Sequence, residues 1–346
     1  MRERLTISIL AALALAACSV NYPDPAPAEP MVFSAVASHS TKSIITTTNY
    51  PLDEPFAVEA VHYTNEKDSE GTVFMHQEKV SYDFNEGYWK TKSDYFWPES
   101  GQSRFYAGSP IIPEVTYCPE HGVEADWTIN PDDETIIDLC YAEVTEPCVS
   151  HSAAVPVVFS HALSQICFKA KTLKHYSFSQ TANNKIQANI ITTVLDSVKI
   201  RGLLSKGHFT QIPRGWTHDK SVLSDYVIYR NEEGLELNCD RYENPILMPL
   251  RTMLMLPQDI PADAILQEWH HMVVRTSITN AATGQIESDM TYSVPRSSET
   301  HLNKLCEKWM MDFKYTFHLA VGQEDSELAV AVTDWTETKE IILGDR

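Results

Sequence analysis

The chain has 346 residues, 43% hydrophobic and 10% aromatic, with 27 Lys+Arg against 47 Asp+Glu and a formal net charge of -20. That is the composition of a folded globular protein rather than a disordered one, and the length suits two domains. The acidic balance argues against nucleic acid as a partner and against electrostatic docking on an anionic membrane, since both need a basic surface.

The N-terminus carries Arg2 and Arg4, then an apolar run from Ile7 to Ala17 interrupted by Ser8. The run is too short to span a bilayer, which takes about 20 residues, and reads as the core of a signal peptide over 1–17. It ends in Leu15-Ala16-Ala17-Cys18. Small residues directly before a cysteine resemble the lipobox of bacterial lipoproteins, which makes Cys18 the expected acylated first residue of the mature chain. Acyl chains contribute roughly 0.8 kcal/mol of membrane affinity per buried methylene, so the expected protein is lipid-anchored rather than membrane-spanning. Residues 18–30 contain Pro23, Pro25, Pro27 and Pro30 and are expected to form an extended spacer.

From residue 31 onward, alternation of apolar and polar residues dominates, the period of half-buried strands. Ile166, Phe168 and Ala170 alternate with Cys167, Lys169 and Lys171. Val198 and Ile200 alternate with Lys199 and Arg201. The segments Phe313 to Val321 and Leu328 to Thr333 repeat the pattern. Turns are expected at Asn85-Glu86-Gly87, Pro98 to Gly101, Ser205-Lys206-Gly207 and Thr283-Gly284. Leu302, Leu305, Cys306 and Trp309 have helical spacing and suggest one short helix over 299–310. The expected fold is mainly β, built of two tandem antiparallel β-sandwich domains. The polar stretch from His175 to Asn184 suggests a boundary that divides the folded part into 31–178 and 179–346. Besides Cys18 there are Cys118, Cys140, Cys148, Cys167, Cys239 and Cys306 at irregular spacings, compatible with one bridge in the 118–148 region.

Nothing in the sequence singles out a catalytic residue. There is no G-x-S-x-G elbow and no H-E-x-x-H, so no enzymatic activity and no cofactor are expected. Asp132-Asp133-Glu134 lacks the spacing of a calcium loop and reads as a solvated turn. Cys118-Pro119-Glu120-His121 and Trp269-His270-His271 gather potential ligands, but strand neighbours point to opposite faces, and no metal site is expected from either. Tyr88, Trp89, Tyr95, Phe96, Trp97, Phe105 and Tyr106 crowd into a short stretch. They read first as core, and alternatively as the stacking platform of a surface glycan-binding lipoprotein.

The order of several blocks resembles the fimbrillin family, the lipoprotein-derived subunits of type V pili in Bacteroidales-type bacteria. The blocks are Trp89 with Tyr95-Phe96-Trp97-Pro98, Phe105-Tyr106-Ala107-Gly108-Ser109-Pro110, and Val157 through Ser164. Ile200 to Phe209 with Trp216, Leu254-Met255-Leu256-Pro257-Gln258, and Trp309 with Tyr315-Thr316-Phe317 and Val332 to Trp335 continue the series. The resemblance implies tandem transthyretin-like β-sandwich domains and a fimbrial or accessory subunit without catalytic activity. It implies an outer-membrane lipoprotein displayed at the cell surface, with other fimbrial subunits and a trypsin-like processing protease as partners. The protease cuts after a basic residue near the N-terminus, removing the anchor and the first strand. The groove left behind accepts a strand from the next subunit.

Mapped onto this chain, Val32, Phe33 and Val36 would belong to the removable strand. Lys42 would be the cleavage residue, because no Lys or Arg lies between Cys18 and Lys42 and the next is Lys67. Leu328, Val330 and Val332 would belong to the donor strand.

Overall fold

The computed structural model describes residues 29–37, 50–132, 137–148, 154–240, 244–322, 326–334 and 341–344. The first strands are β1 (Phe33–Ala37), β2 (Phe56–Tyr63), β3 (Thr72–Asp83), β4 (Tyr88–Thr91), β5 (Gln102–Ser109) and β6 (Val115–Cys118). Next come β7 (Gly122–Thr128), β8 (Cys140–Pro147), β9 (Val155–His161), β10 (Ser164–Thr172) and β11 (Tyr176–Gln180). The middle of the chain supplies β12 (Ile186–Leu204), β13 (Lys206–Thr210), β14 (Gly215–His218), β15 (Leu223–Leu237) and β16 (Met248–Met255). The last are β17 (Ile265–Thr279), β18 (Ile286–His301), β19 (Phe313–Val321), β20 (Ser326–Asp334) and β21 (Ile341–Gly344).

The mainly-β expectation holds, and the strands assemble into four sheets. A closed barrel runs β1-β4-β3-β2-β5-β8-β9 and returns to β1. Its interior holds Phe33, Tyr50, Phe56, Trp89, Phe105 and Phe159, all buried. A four-stranded sheet, β14-β13-β7-β6, lies outside the barrel. Tyr106 on β5, Tyr117, Val123 and Trp127 of this sheet, and Phe209 share a second core. Both faces of β5 are therefore buried: Phe105 and Ala107 point into the barrel, and Tyr106 points toward the outer sheet.

The remaining sheets are β16-β10-β19-β20-β21 and β11-β12-β17-β18, with β15 also paired to β12. They enclose a third core built from Ile166, Phe168, Leu195, Ile200, Leu266, Tyr315 and Phe317. The alternation in β10 holds for Ile166, Phe168 and Ala170, which are buried, against Lys169 and Lys171, which are not, but Cys167 on the outward face is buried as well.

Several expectations need correction. The N-terminal strands, expected as an antiparallel sandwich, close into a continuous hydrogen-bonded circuit. Two pairs, β1 with β9 and β10 with β19, are parallel rather than antiparallel. Each joins strands far apart in sequence, where no tight hairpin dictates direction. The helix over 299–310 is one 3-10 turn, Leu302–Lys304. Its apolar spacing is satisfied by irregular backbone: Leu302 and Trp309 are buried, and Trp309 exchanges backbone hydrogen bonds with Gln258 (2.9 and 3.0 Å). Lys206 and Gly207 begin β13 instead of forming a turn. The segment from His175 to Asn184 contains β11 and turns back into β12. The bridge that the spacings allow within 118–148 is not formed: Cys118, Cys140, Cys148, Cys167, Cys239 and Cys306 are all free thiols. Cys118 lies on the outer sheet, Cys140 faces the barrel interior, and Cys148 is buried with its Sγ 3.0 Å from Ser103 Oγ.

The expected boundary at residue 178 falls inside β11, and strands pair across it. β7 hydrogen-bonds to β13, and β10 lies between β16 and β19.

Candidate functional site: the β1–β9 ribbon

β1 and β9 lie side by side over the whole of β1, from Phe33 opposite Val155 to Ala37 opposite Phe159. On its other flank, β1 meets β4 through one pair, Phe33 opposite Trp89. Just before β1, the Met31 N–H donates to Tyr95 O at 2.7 Å. β9 in turn meets β8 through two pairs, Cys140 with His161 and Tyr141 with Ser160. The two strands thus form a parallel ribbon with thin ladders on both sides.

Side-chain burial explains how the ribbon is held. Met31 and Phe33 point inward, and Ala35 packs against the same core. The Phe33 ring meets Phe56 and Phe105 edge-on at 6.3 and 6.2 Å. Of the residues expected in a removable strand, Phe33 is buried, Val32 is half-buried, and Val36 is 37% exposed on the outer face. The inward set is therefore Met31, Phe33 and Ala35. The run Met31-Val32-Phe33 hides this alternation because its outward residue is also apolar.

The β8–β9 flank is pinned by a buried polar group. His161 Nδ1 lies 2.6 Å from Asp138 Oδ2 and 3.6 Å from Cys140 Sγ. The backbone N–H of His161 donates to Asp312 Oδ1 at 3.4 Å. Burial pulls the His161 imidazole toward neutrality, but the Asp138 carboxylate and Cys140 outweigh it and hold its pKa well above the usual value. Burial, with Asp138 beside it, pushes the Cys140 thiol up to about 11. No sequence pattern joins Asp138 to His161. The β8–β9 pairing brings them together.

The expected donor residues lie in β20. Val330 is fully covered, and Leu328 and Val332 pack on the edge of the same core. β20 pairs with β19 from Ser326 to Asp334 and with β21 on its other side. β21 is the outermost strand of that sheet. Cys18 and Lys42 lie outside the described residues.

The crowded aromatics are mostly core. Trp89, Phe105 and Tyr106 are buried, Tyr95 and Trp97 lean on the barrel core, and Phe96 is exposed. They do not form an exposed stacking platform. Among the described residues, no helix is long and apolar enough to cross a membrane.

The remaining sequence blocks converge on the junction between the sheets. Trp216 Nε1 donates to Ala162 O at 2.7 Å, and His218 Nε2 donates to Pro257 O at 2.7 Å. Gln258, buried after Pro257, accepts from Leu204 N at 2.9 Å and donates to Leu204 O at 3.0 Å. Ser164 Oγ donates to Met310 O at 2.7 Å. Buried polar groups need partners, so these side chains act as fixed joints between segments remote in sequence.

No curated protein sequence matches the chain. Solved structures resemble it at low identity. A candidate cell adhesion protein from Bacteroides uniformis superposes with a TM-score of 0.50 at 14% identity, covering 89% of this chain and 99% of that one. A candidate cell adhesion protein from Bacteroides ovatus gives a TM-score of 0.48 at 12% identity, covering 90% and 100%. A fimbrial assembly protein from Parabacteroides distasonis gives 0.40 at 12% identity, covering 92% and 99%. Likeness at this level concerns the fold. The family model described as fimbrillin-like is matched by residues 46–335, most of the chain, and the protein therefore belongs to the fimbrillin-like family.

Proposed function

We propose that this protein is a fimbrial subunit or accessory subunit that joins its neighbours by exchange of a β-strand and supports adhesion at the cell surface. In this reading the two layered halves correspond to the family's tandem sandwich domains. Cys18 carries the lipid that holds the chain to the outer membrane until processing, and a trypsin-like protease cuts after Lys42. The observation that carries the reading is the uneven seating of β1: it has a full ladder to β9 and a single residue pair to β4. Taking it away breaks the barrel circuit and uncovers the pocket of Phe33, at about 1.5–3 kcal/mol for a large apolar side chain. An incoming strand restores both the ladder and the packing, the logic of β-augmentation. A head-to-tail contact of this kind does not close on itself and so yields filaments. Leu328, Val330 and Val332 share one face of β20, as a donor strand requires. For β20 to donate, it must leave β19.

Limited trypsin digestion of the folded protein tests this. A single early cut after Lys42, loss of the β1 segment, and oligomers that persist in mild detergent are expected, with Lys42→Ala blocking all three. A Lys42 bond that resists cleavage, or a cleaved protein that neither oligomerises nor binds a donor peptide spanning Glu327 to Leu343, overturns the proposal.

A further inference from the structure

The outer face of the four-stranded sheet brings together donor atoms that the sequence keeps far apart. Cys118 ends β6, His121 sits in the turn, Glu124 and Asp126 project from β7, and His208 projects from β13. His208 lies directly opposite Asp126 in the ladder, with Glu124 two pairs further along on the same face, opposite Thr210. The inward residues of these strands, Tyr117, Val123, Ala125 and Phe209, are buried, so alternation turns the polar set to solvent.

Three of these residues place their donor atoms in one compact group, and His208 borders that group at Glu124. Sγ of Cys118, a ring nitrogen of His121 and a carboxylate oxygen of Glu124 all lie within 4.8 Å of one another. His121 Nδ1 is 2.9 Å from Glu124 Oε1. His208 Nε2 approaches the same oxygen at 3.6 Å, too far for a hydrogen bond. The other nitrogen of that ring, Nδ1, donates to Asp126 Oδ1 at 2.9 Å. The ring is thereby oriented with Nε2 toward the Glu124 carboxylate. Tetrahedral bonds of about 2.0–2.3 Å set neighbouring donors roughly 3.2–3.7 Å apart, which brackets the His208–Glu124 separation.

We propose that Cys118, His121, Glu124 and His208 form a site for a divalent cation of the zinc class, with Asp126 as a positioning residue. Thiolate, imidazole and carboxylate together select a borderline metal over calcium or magnesium, which prefer oxygen alone. On binding, the Cys118 thiol releases its proton to solvent, and the thiolate and Glu124 carboxylate together balance the two positive charges. Asp126 orients His208 as outer carboxylates orient metal-bound histidines elsewhere. The bound metal ties the β6–β7 hairpin to β13, and so links a segment before residue 130 to one after 205.

Cobalt(II) and zinc titrations of the untagged purified protein test the assignment. One equivalent of cobalt is expected to give the strong visible absorption of a tetrahedral site and a thiolate-to-cobalt charge-transfer band, both bleached by zinc. Cys118→Ser removes the charge-transfer band, and His208→Ala weakens binding at least tenfold. Asp126→Asn weakens it by about tenfold or more while leaving the spectrum unchanged in shape. All three side chains are solvent-facing, and far-UV circular dichroism confirms that the variants fold. Absence of saturable binding overturns the proposal. So does a charge-transfer band that survives Cys118→Ser and disappears in Cys140→Ser, which places the cation at the buried Asp138–Cys140–His161 group instead.

Discussion

Phe33 stands opposite Trp89, and among the described residues that is the one pair joining β1 to β4. Phe33 also supplies the ring that meets Phe56 and Phe105. The retention of β1 on this flank therefore rests on one side chain more than on the ladder. Phe33→Ala is expected to destabilise the folded protein by about 3–5 kcal/mol, the usual cost of emptying a buried aromatic site. Val36→Ala, on the exposed outer face, is expected to cost under about 1 kcal/mol. Urea denaturation of the two variants measures the contrast, and equal losses contradict the inward assignment of Phe33.

Two buried histidines give stability opposite dependences on pH. The His161 imidazole is held well above its usual pKa by Asp138 despite its burial, so its contribution is complete below the unfolded value, about 6.5, and is lost as pH rises through the folded value. His270 is the reverse. Burial, then the nearby Arg296, lowers it to about 4, so it stays neutral in the folded state while the unfolded chain takes up a proton. Its contribution is lost as pH falls from about 6.5 toward 4. Denaturation midpoints followed from about pH 4 to well above neutrality are expected to lose their alkaline slope in His161→Gln and part of their acid slope in His270→Gln. An alkaline slope unchanged in His161→Gln removes the ion pair from the account.

Gly122 opens β7 at φ +69, a conformation that residues with a Cβ rarely adopt. A Cβ there falls 2.6 Å from Gln211 Oε1 and 2.8 Å from the Tyr106 ring. Gln211 Oε1 is the acceptor for the Val123 N–H at 2.9 Å, so the substitution strikes backbone and partner together. Gly122→Ala is expected to destabilise by about 1–3 kcal/mol, whereas Gly284→Ala, with open space around its Cβ, loses only the backbone preference. Thermal melts of the pair test the difference.

The thiols are expected to report the layering of the fold. Cys118, Cys239 and Cys306 are partly exposed, and Cys140, Cys148 and Cys167 are buried. In the native protein an aromatic disulfide reagent is expected to modify the first group and leave the second until denaturant is added. Cys140 is expected to be slowest, since burial and Asp138 hold its thiol up near 11. Fewer thiols in denaturant without reductant signal a disulfide and contradict the structure.

Much of the fold is legible in the alternation along β10, β19 and β20, because a half-buried strand writes its two faces into successive residues. The same rule misleads at Leu302 to Trp309. There, buried apolar residues at helical spacing sit on irregular backbone fixed by Gln258, a contact that arises only in three dimensions. The inward face of β1 is obscured because Val32 and Val36 are as apolar as their inward neighbours. The Asp138–His161 pair and the convergence of His208 on Glu124 leave no local trace, since each joins residues brought together by strand pairing. Cys118 and His121 are visible as a neighbouring pair, but not the strand that completes their surroundings.

The four-stranded sheet also constrains how the chain is made. β7 acquires its second neighbour only when β13 has been synthesised, about 80 residues further on. During translation its outer edge is an open hydrogen-bonding ladder, the kind of surface on which nascent chains pair wrongly. The early half must therefore wait, incompletely knit, for the later one.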